Sequence, residues 1–349
     1  MSESSNILKL IDRIKDFSMK TEMIINFAVA AFTVFIITAL TSKFLIPKLK
    51  SLKMGQKILD IGPRWHKNKE GTPTMGGISF IFAGLVVFAA FGTYLALKSD
   101  VDMKKLIICM GFALVNGVIG FVDDFAKFFK KQNQGLKAGQ KFFLQLLAAG
   151  IFLFVMYWAG YVNGALYIPF VDMKIKLGVA YYILMIVLIT GIVNSVNLTD
   201  GIDGLASGVT FVVGGFFTVA AISLANMSAV FMAAIVVGST LGFLVYNFHP
   251  AKIFMGDTGS LYLGGMVVSL AFMIDNPFIL VPVGIVYICE TLSDIIQVSY
   301  YKISGGKRIF KMAPIHHHFE KCGWSENKIV FVFSFVTLVF SIVAYFGLT

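Results

Sequence analysis

Long apolar runs broken by short polar stretches dominate this chain. About ten of them approach the length a helix needs to cross the roughly 30 Å hydrocarbon core of a bilayer. Their approximate limits are residues 23–46, 75–97, 104–125, 140–160, 177–196, 205–224, 229–247, 259–274, 278–301 and 328–347. The runs are continuous rather than alternating, which argues against a transmembrane β-barrel. The pattern predicts an all-α, polytopic integral membrane protein of about ten transmembrane helices, with a break or bend possible in the ninth. Residues 1–22 read differently. Ile7, Leu10, Ile11, Ile14 and Phe17 recur at helical spacing with charges between them, so this segment is expected to be a short interfacial amphipathic helix, too polar to span. Residues 23–349 then form one ten-helix transmembrane domain.

Composition agrees. Of 349 residues, 57% are hydrophobic and 14% charged, and the mean hydropathy is +0.82, outside the range of soluble domains. The net charge of +10 points to loops facing anionic lipid rather than to nucleic acid. Cys109, Cys289 and Cys322 are scattered and form neither a disulfide framework nor a metal-ligand spacing. No cleavable signal peptide is evident. No internal repeat is visible, so an inverted-repeat transporter gains no support.

Lys and Arg set the expected orientation. The loops after the first, third, seventh and ninth spans carry 20 of the 29 basic residues. The positive-inside rule places those loops in the cytoplasm and both termini outside. Every dense polar motif falls on the same side: Gly71–Gly77, Asp123–Asp124, Asn194–Gly204, Asn247–Ser260 and Pro314–Glu320. A transporter places its key polar groups near the midplane. One-sided chemistry favours an enzyme with a cytoplasmic substrate.

Each motif admits a structural and a chemical reading. In Gly71–Gly77 (GTPTMGG), Thr72 and Thr74 offer hydroxyls and Lys67 lies just upstream; Thr74 could equally be a helix N-cap. Asp123 and Asp124 sit at a helix C-terminus, where the dipole disfavours negative charge. Mg²⁺ with substrate phosphate would compensate them, or Asp123 could pair with Lys127 at i+4. Asn194–Gly204 concentrates Asn194, Asn197, Asp200 and Asp203 with no basic residue. Asp200 and Asp203 share a face if that turn is helical, and either could cap the next span. Tyr246–Gly265 contains Asn247, Phe254, Gly256, Asp257 and Ser260. The start of that helix would attract phosphate, Asp257 could be its N-cap, and Phe254 could stack on a flat ring or anchor at the interface. Glu290, Asp294 and Gln297 lie within the ninth span, where acids suggest function or interhelical hydrogen bonding. His316, His317 and His318 are consecutive and cannot all face one metal. They read as phosphate or sugar ligands with an acid–base role, or as solvated loop histidines.

Taken together, GTPTMGG, the aspartate pair, NSVNLTDGIDGLA, IFMGDTGSL and APIHHHFE resemble the phospho-N-acetylmuramoyl-pentapeptide-transferase family of the polyprenyl-phosphate N-acetylhexosamine-1-phosphate transferases. The resemblance covers nearly the whole chain. It implies transfer of the phospho-sugar of UDP-N-acetylmuramoyl-pentapeptide to undecaprenyl phosphate, with release of UMP and formation of lipid I, a Mg²⁺ requirement, active-site loops on the cytoplasmic face and a homodimer in the bacterial cytoplasmic membrane. It further implies Asp257 and Asp124 as metal residues, Asp123 as base toward the lipid phosphate, and Lys127, His316 and His317 near phosphate. The uridine end would lie against Lys67, Asn197, Asp203, Asn247, Phe254 and Gly256, with Gln297 lining the cavity and Thr72, Asn194, Asp200 and Ser260 completing the substrate site. The rivals are a sibling transferase using UDP-N-acetylglucosamine and a nucleotide-sugar or lipid transporter.

Overall fold

The computed structural model describes residues 2–52, 69–98, 101–130 and 135–348, with side chains from Arg13 onward. Twelve α-helices follow in order: α1 (Ser2–Ser51), α2 (Gly77–Lys98), α3 (Met103–Phe129), α4 (Ala138–Trp158), α5 (Val179–Thr199), α6 (Leu205–Ser223), α7 (Met227–Asn247), α8 (Gly256–Met273), α9 (Leu280–Val283), α10 (Ile285–Ile303), α11 (Ile315–Lys321) and α12 (Glu326–Phe346). Among the described residues, eight helices are long and apolar enough to cross a membrane. Pro277–Val283 and Ile285–Ile303 meet at a 75° bend and count as a ninth if the pair is one broken span. The expected eighth span, 259–274, is α8; the polar residues of its first turns keep it from being apolar enough to count with the others.

Two expectations are corrected. The amphipathic N-terminal segment is not a separate helix: α1 runs unbroken for 50 residues, about 75 Å at 1.5 Å per residue, and so outreaches a bilayer. The loop between α4 and α5, for which no secondary structure was expected, carries a small sheet. Strands β1 (Ala165–Ile168) and β2 (Met173–Lys176) form an antiparallel hairpin with Ala165 opposite Lys176 and Ile168 opposite Met173.

The architecture is organised around α8. Every residue from Thr258 to Met273 is buried, as suits a helix apolar on all sides. It packs along α3, α5 and α2. Small residues set these distances. A Cβ on Gly77 of α2 would fall on the backbone of Gly259; one on Gly264 would meet Val193 Cα of α5 at 2.9 Å, and one on Gly265 would meet Ala113 Cα of α3 at 2.7 Å. Close backbone approach through small residues is the usual way for helices to associate where lipid supplies no hydrophobic drive. Outward-facing Phe32, Leu97, Phe154, Val187 and Phe331 are exposed, as lipid contact requires. At the end away from the polar motifs, Lys105 Nζ donates to Asp275 Oδ1 (2.7 Å) and Met273 O (3.2 Å). The Asn226 side chain caps α7 and donates to the same carbonyl at 2.9 Å. These bonds fix the far end of α8.

The α1–α7 seam has the same character. A Cβ on Gly242 would meet Phe35 O and Thr38 Cβ at 2.7 Å. Gly242→Val should destabilise the detergent-purified protein by about 1–3 kcal/mol, the usual cost of overpacking. Gly215→Ala, with nothing within 4 Å of the added carbon, should leave thermal unfolding unchanged.

Candidate active site

Four helix ends converge on one cluster. Asp124, near the C-terminal end of α3, is buried, and its carboxylate reaches across to the start of α8. Its Oδ1 accepts from Asp257 N (3.2 Å), and its Oδ2 accepts from Thr258 N (2.9 Å) and Thr258 Oγ1 (2.7 Å). The N-terminus of α8 is thus capped from another helix. Asp257 is not the cap, and its carboxylate is available for other partners. The close approach dictates glycine at Gly256: its φ of +71° is left-handed, and a Cβ would strike Asp124 Oδ2 at 2.5 Å and Thr74 Oγ1 at 2.9 Å.

Asp257 Oδ1 accepts from Asn197 Nδ2 (2.8 Å), while Oδ2 lies 2.7 Å from Lys127 Nζ and 3.1 Å from Lys141 Nζ. Lys127 also lies 2.7 Å from Asp123 Oδ2 and 3.5 Å from Asp124 Oδ1. The expected i,i+4 pair of Asp123 and Lys127 therefore exists inside a larger network. Asp123 Oδ1 accepts from Leu136 N at 2.7 Å. Asn197 bridges further, donating to Ser260 Oγ (2.7 Å) and accepting from Lys141 (3.0 Å). Oxygens of Asp123, Asp124 and Asp257 all lie within 4.8 Å of one another. Three carboxylates face two ammonium groups, leaving net negative charge among hard oxygen donors, and that donor set fits Mg²⁺. Beside the cluster, burial pushes the Asp200 carboxyl well above the usual range, and the charges of Asp257, Asp124 and Asp203 add to the effect.

A second network adjoins the first. Asp203 is buried; its Oδ1 binds Lys69 Nζ (2.8 Å), and its Oδ2 meets His249 Nδ1 (2.9 Å) and Ala251 N (2.9 Å). Glu326 Oε2 accepts from Lys69 Nζ (2.6 Å) and Asp203 N (2.9 Å). The loop before α2 is stitched to the loop before α8: Phe254 N donates to Pro73 O, and Gly76 N to Phe254 O, each at 2.8 Å. The Phe254 side chain is half-buried there, as is Thr72. Helix α2 begins at Gly77, so Thr74 is not its N-cap.

The remaining expected residues separate into groups. Asn247 accepts from Gly204 N and Ser207 Oγ (3.2 Å each) and donates to Ile253 O (3.0 Å), holding two site loops together. Gln297 accepts from Ile309 N (3.1 Å) and Phe310 N (3.0 Å) and donates to Phe310 O (3.1 Å); its amide orders the loop before α11. Asn194 Nδ2 donates to Gln145 Oε1 (2.8 Å) and Thr190 O (2.9 Å), so that amide joins α5 to α4. His316 is fully buried against Glu290, with Nδ1 and Oε2 2.9 Å apart. The His317 ring lies against it, tilted by 59° with centroids 4.1 Å apart, and meets Glu320 at 2.6 Å. His318 accepts from Lys311 N at 3.1 Å, so the three histidines diverge. Lys67 lies outside the described residues.

Sequence reasoning missed Lys69, Lys141, His249 and Glu326 as members of these networks. Lys69 had a signal, two positions before GTPTMGG. Lys141 and Glu326, each in the first turn of an otherwise apolar helix, read as ordinary interfacial charges.

A family model described as "Glycosyl transferase family 4" matches residues 106–275. Residues 69–81 match the phospho-N-acetylmuramoyl-pentapeptide-transferase signature 1. Three relatives bear the name phospho-N-acetylmuramoyl-pentapeptide-transferase. One from Clostridium perfringens (strain SM101) is 44% identical over 90% of this chain and 94% of its own. One from Clostridioides difficile (strain 630) is 45% identical over 90% of this chain and 97% of its own. One from a Thermoanaerobacter species (strain X514) is 43% identical over 94% of this chain and 100% of its own. The chain belongs to the phospho-N-acetylmuramoyl-pentapeptide-transferase family of multi-pass bacterial membrane proteins.

Proposed function

We propose that the protein transfers phospho-N-acetylmuramoyl-pentapeptide from its UDP conjugate to undecaprenyl phosphate, making lipid I and UMP for peptidoglycan synthesis. The single observation that carries this reading is the Asp123–Asp124–Asp257 cluster with Lys127 and Lys141 at the start of α8. An oxygen of the lipid phosphate attacks the sugar-side phosphorus of the diphosphate. The bond to the uridylyl phosphate breaks, and UMP departs with that bond's electron pair. Both reactants are anions, so neutralisation and positioning are the main tasks.

The chain's own groups suit those tasks. Lys127 and Lys141 supply positive charge beside Asp257. Asp123, held by the Leu136 amide, would take a proton from the lipid phosphate. Asp124 holds the α8 N-terminus and thereby aims Asp257. Asp257 with Asp124 would hold Mg²⁺, which when bound neutralises diphosphate oxygens. The Lys69–Asp203 network and Phe254 form the wall on which the uridine end would rest. Of the packed pair His316 and His317, only His317 keeps some exposure toward a ligand, since His316 has none. Charge asymmetry supports a cytoplasmic site with both termini outside, and the family resemblance supports a homodimer.

The test is UMP release by detergent-purified protein given the UDP-linked muramoyl pentapeptide. Release should require both undecaprenyl phosphate and Mg²⁺ and should stop with EDTA. Release only with UDP-N-acetylglucosamine would move the assignment to the sibling enzymes, and substrate passage across sealed vesicles without UMP would replace it with transport. Asp257→Asn and Asp123→Asn should each lower turnover by more than about a hundredfold, the scale of a lost electrostatic or acid–base group; a wild-type rate in either removes that residue from the chemistry. Asp203→Ala leaves Lys69 without its Asp203 partner and should raise the donor KM by about tenfold or more, measured by the same release at varied donor.

A further inference from the structure

Glu290 lies in α10, shortly after the 75° bend, and is fully buried. Its Oε2 stands 2.9 Å from Nδ1 of His316, itself fully buried. An ionised Glu290 can only accept a hydrogen bond, so the contact makes His316 Nδ1 the donor and, in the neutral ring, leaves Nε2 as an acceptor. Nε2 has no hydrogen-bond partner. It points at Gly201, in the turn between Asp200 and Asp203. A Cβ on Gly201 would collide with the imidazole at Nε2 and Cε1, and no other atom lies nearer. Gly201 is not in the left-handed region, so its backbone would accept alanine. The His316 ring is what excludes a side chain there. The ring also packs against the tilted ring of His317.

We propose that Glu290 is a positioning residue for the transfer reaction. From inside the bent span it fixes the tautomer and plane of His316, and that ring in turn sets the Asp200–Gly201 turn and His317 beside the acid cluster. His316 then acts through its neighbours rather than as a phosphate contact. Orienting carboxylates of this kind are familiar behind functional histidines. The proposal deepens the transferase reading and rests on it for its kinetic arm; a second arm is independent of turnover.

In the kinetic arm, the full chain and its variants are compared for kcat and donor KM of UMP release. Glu290→Ala should lower kcat by about ten- to a hundredfold with KM within about twofold. Glu290→Gln keeps the shape and an acceptor oxygen, and should recover part of the loss. The double variant Glu290→Ala/His316→Ala should be no slower than His316→Ala alone, because both changes break one linkage. Gly201→Ala should also lower kcat, and should add nothing in the His316→Ala background. Fully additive losses in either pair would overturn the proposal.

In the second arm, the protein is labelled with ¹⁵N-histidine and studied by solid-state NMR. The chain has five histidines, and the His316 signal is identified by its loss in His316→Ala. The wild type should show the Nδ1–H tautomer, and Glu290→Ala should lose it. An Nε2–H tautomer in the wild type, or an unchanged one in Glu290→Ala, would overturn the proposal. If the wild type releases no UMP, the transferase reading fails while the spectra still decide the linkage.

Discussion

The carboxylate of Asp124 against the first turn of α8 is the contact on which the site depends. Free N–H groups at the start of a buried helix must find acceptors. Here the acceptor comes from the end of α3, where the helix dipole alone would disfavour a negative charge. Each end therefore compensates the other: the carboxylate satisfies the donors, and the positive pole of α8 offsets the misplaced charge. One consequence is geometric. With Asp124 acting as cap, Asp257 is held at a fixed point on the first turn and remains open to Asn197, Lys127 and Lys141. The glycines that let α8 approach α2, α3 and α5 serve the same placement.

The site is consequently built on helix ends on one side and on loops on the other. The acid cluster sits on helix ends clamped by backbone contacts. The adjoining Asp203 network instead ties together segments distant in sequence: Lys69 before α2, His249 before α8 and Glu326 at the start of α12. The loop before α11 is ordered from within the membrane domain by Gln297 and Glu290, both on α10. The bent ninth span thus contributes to the site through what it holds.

Much of this was legible in the sequence because hydrophobic runs and motif residues report locally. Most span limits, the possibility of a break in the ninth span and the Asp123–Lys127 pair follow from short-range pattern. The functions of Asp124 and Gly256 did not, since a capping bond between residues 133 apart leaves no trace in spacing. Asn194, Asn247 and Gln297 entered the expected substrate site with the family resemblance, and the bonds their amides make inside the protein are not readable from spacing. Most of their amide groups satisfy nearby backbone and helix neighbours, the usual state of buried polar groups. Lys141 and Lys69 were hidden for the opposite reason, as ordinary basic residues near span ends. The continuity of α1 was missed because charges at helical spacing mark a surface face without marking a stop.

The central claim is that the acids gathered at the start of α8 form one cation site. Mn²⁺ is a suitable probe, titrated into purified wild-type and Asp257→Asn protein and followed by electron paramagnetic resonance. The account predicts a saturable site in the wild type that Mg²⁺ displaces and that the variant lacks. Equal Mn²⁺ binding by both proteins would place the cation elsewhere and contradict it.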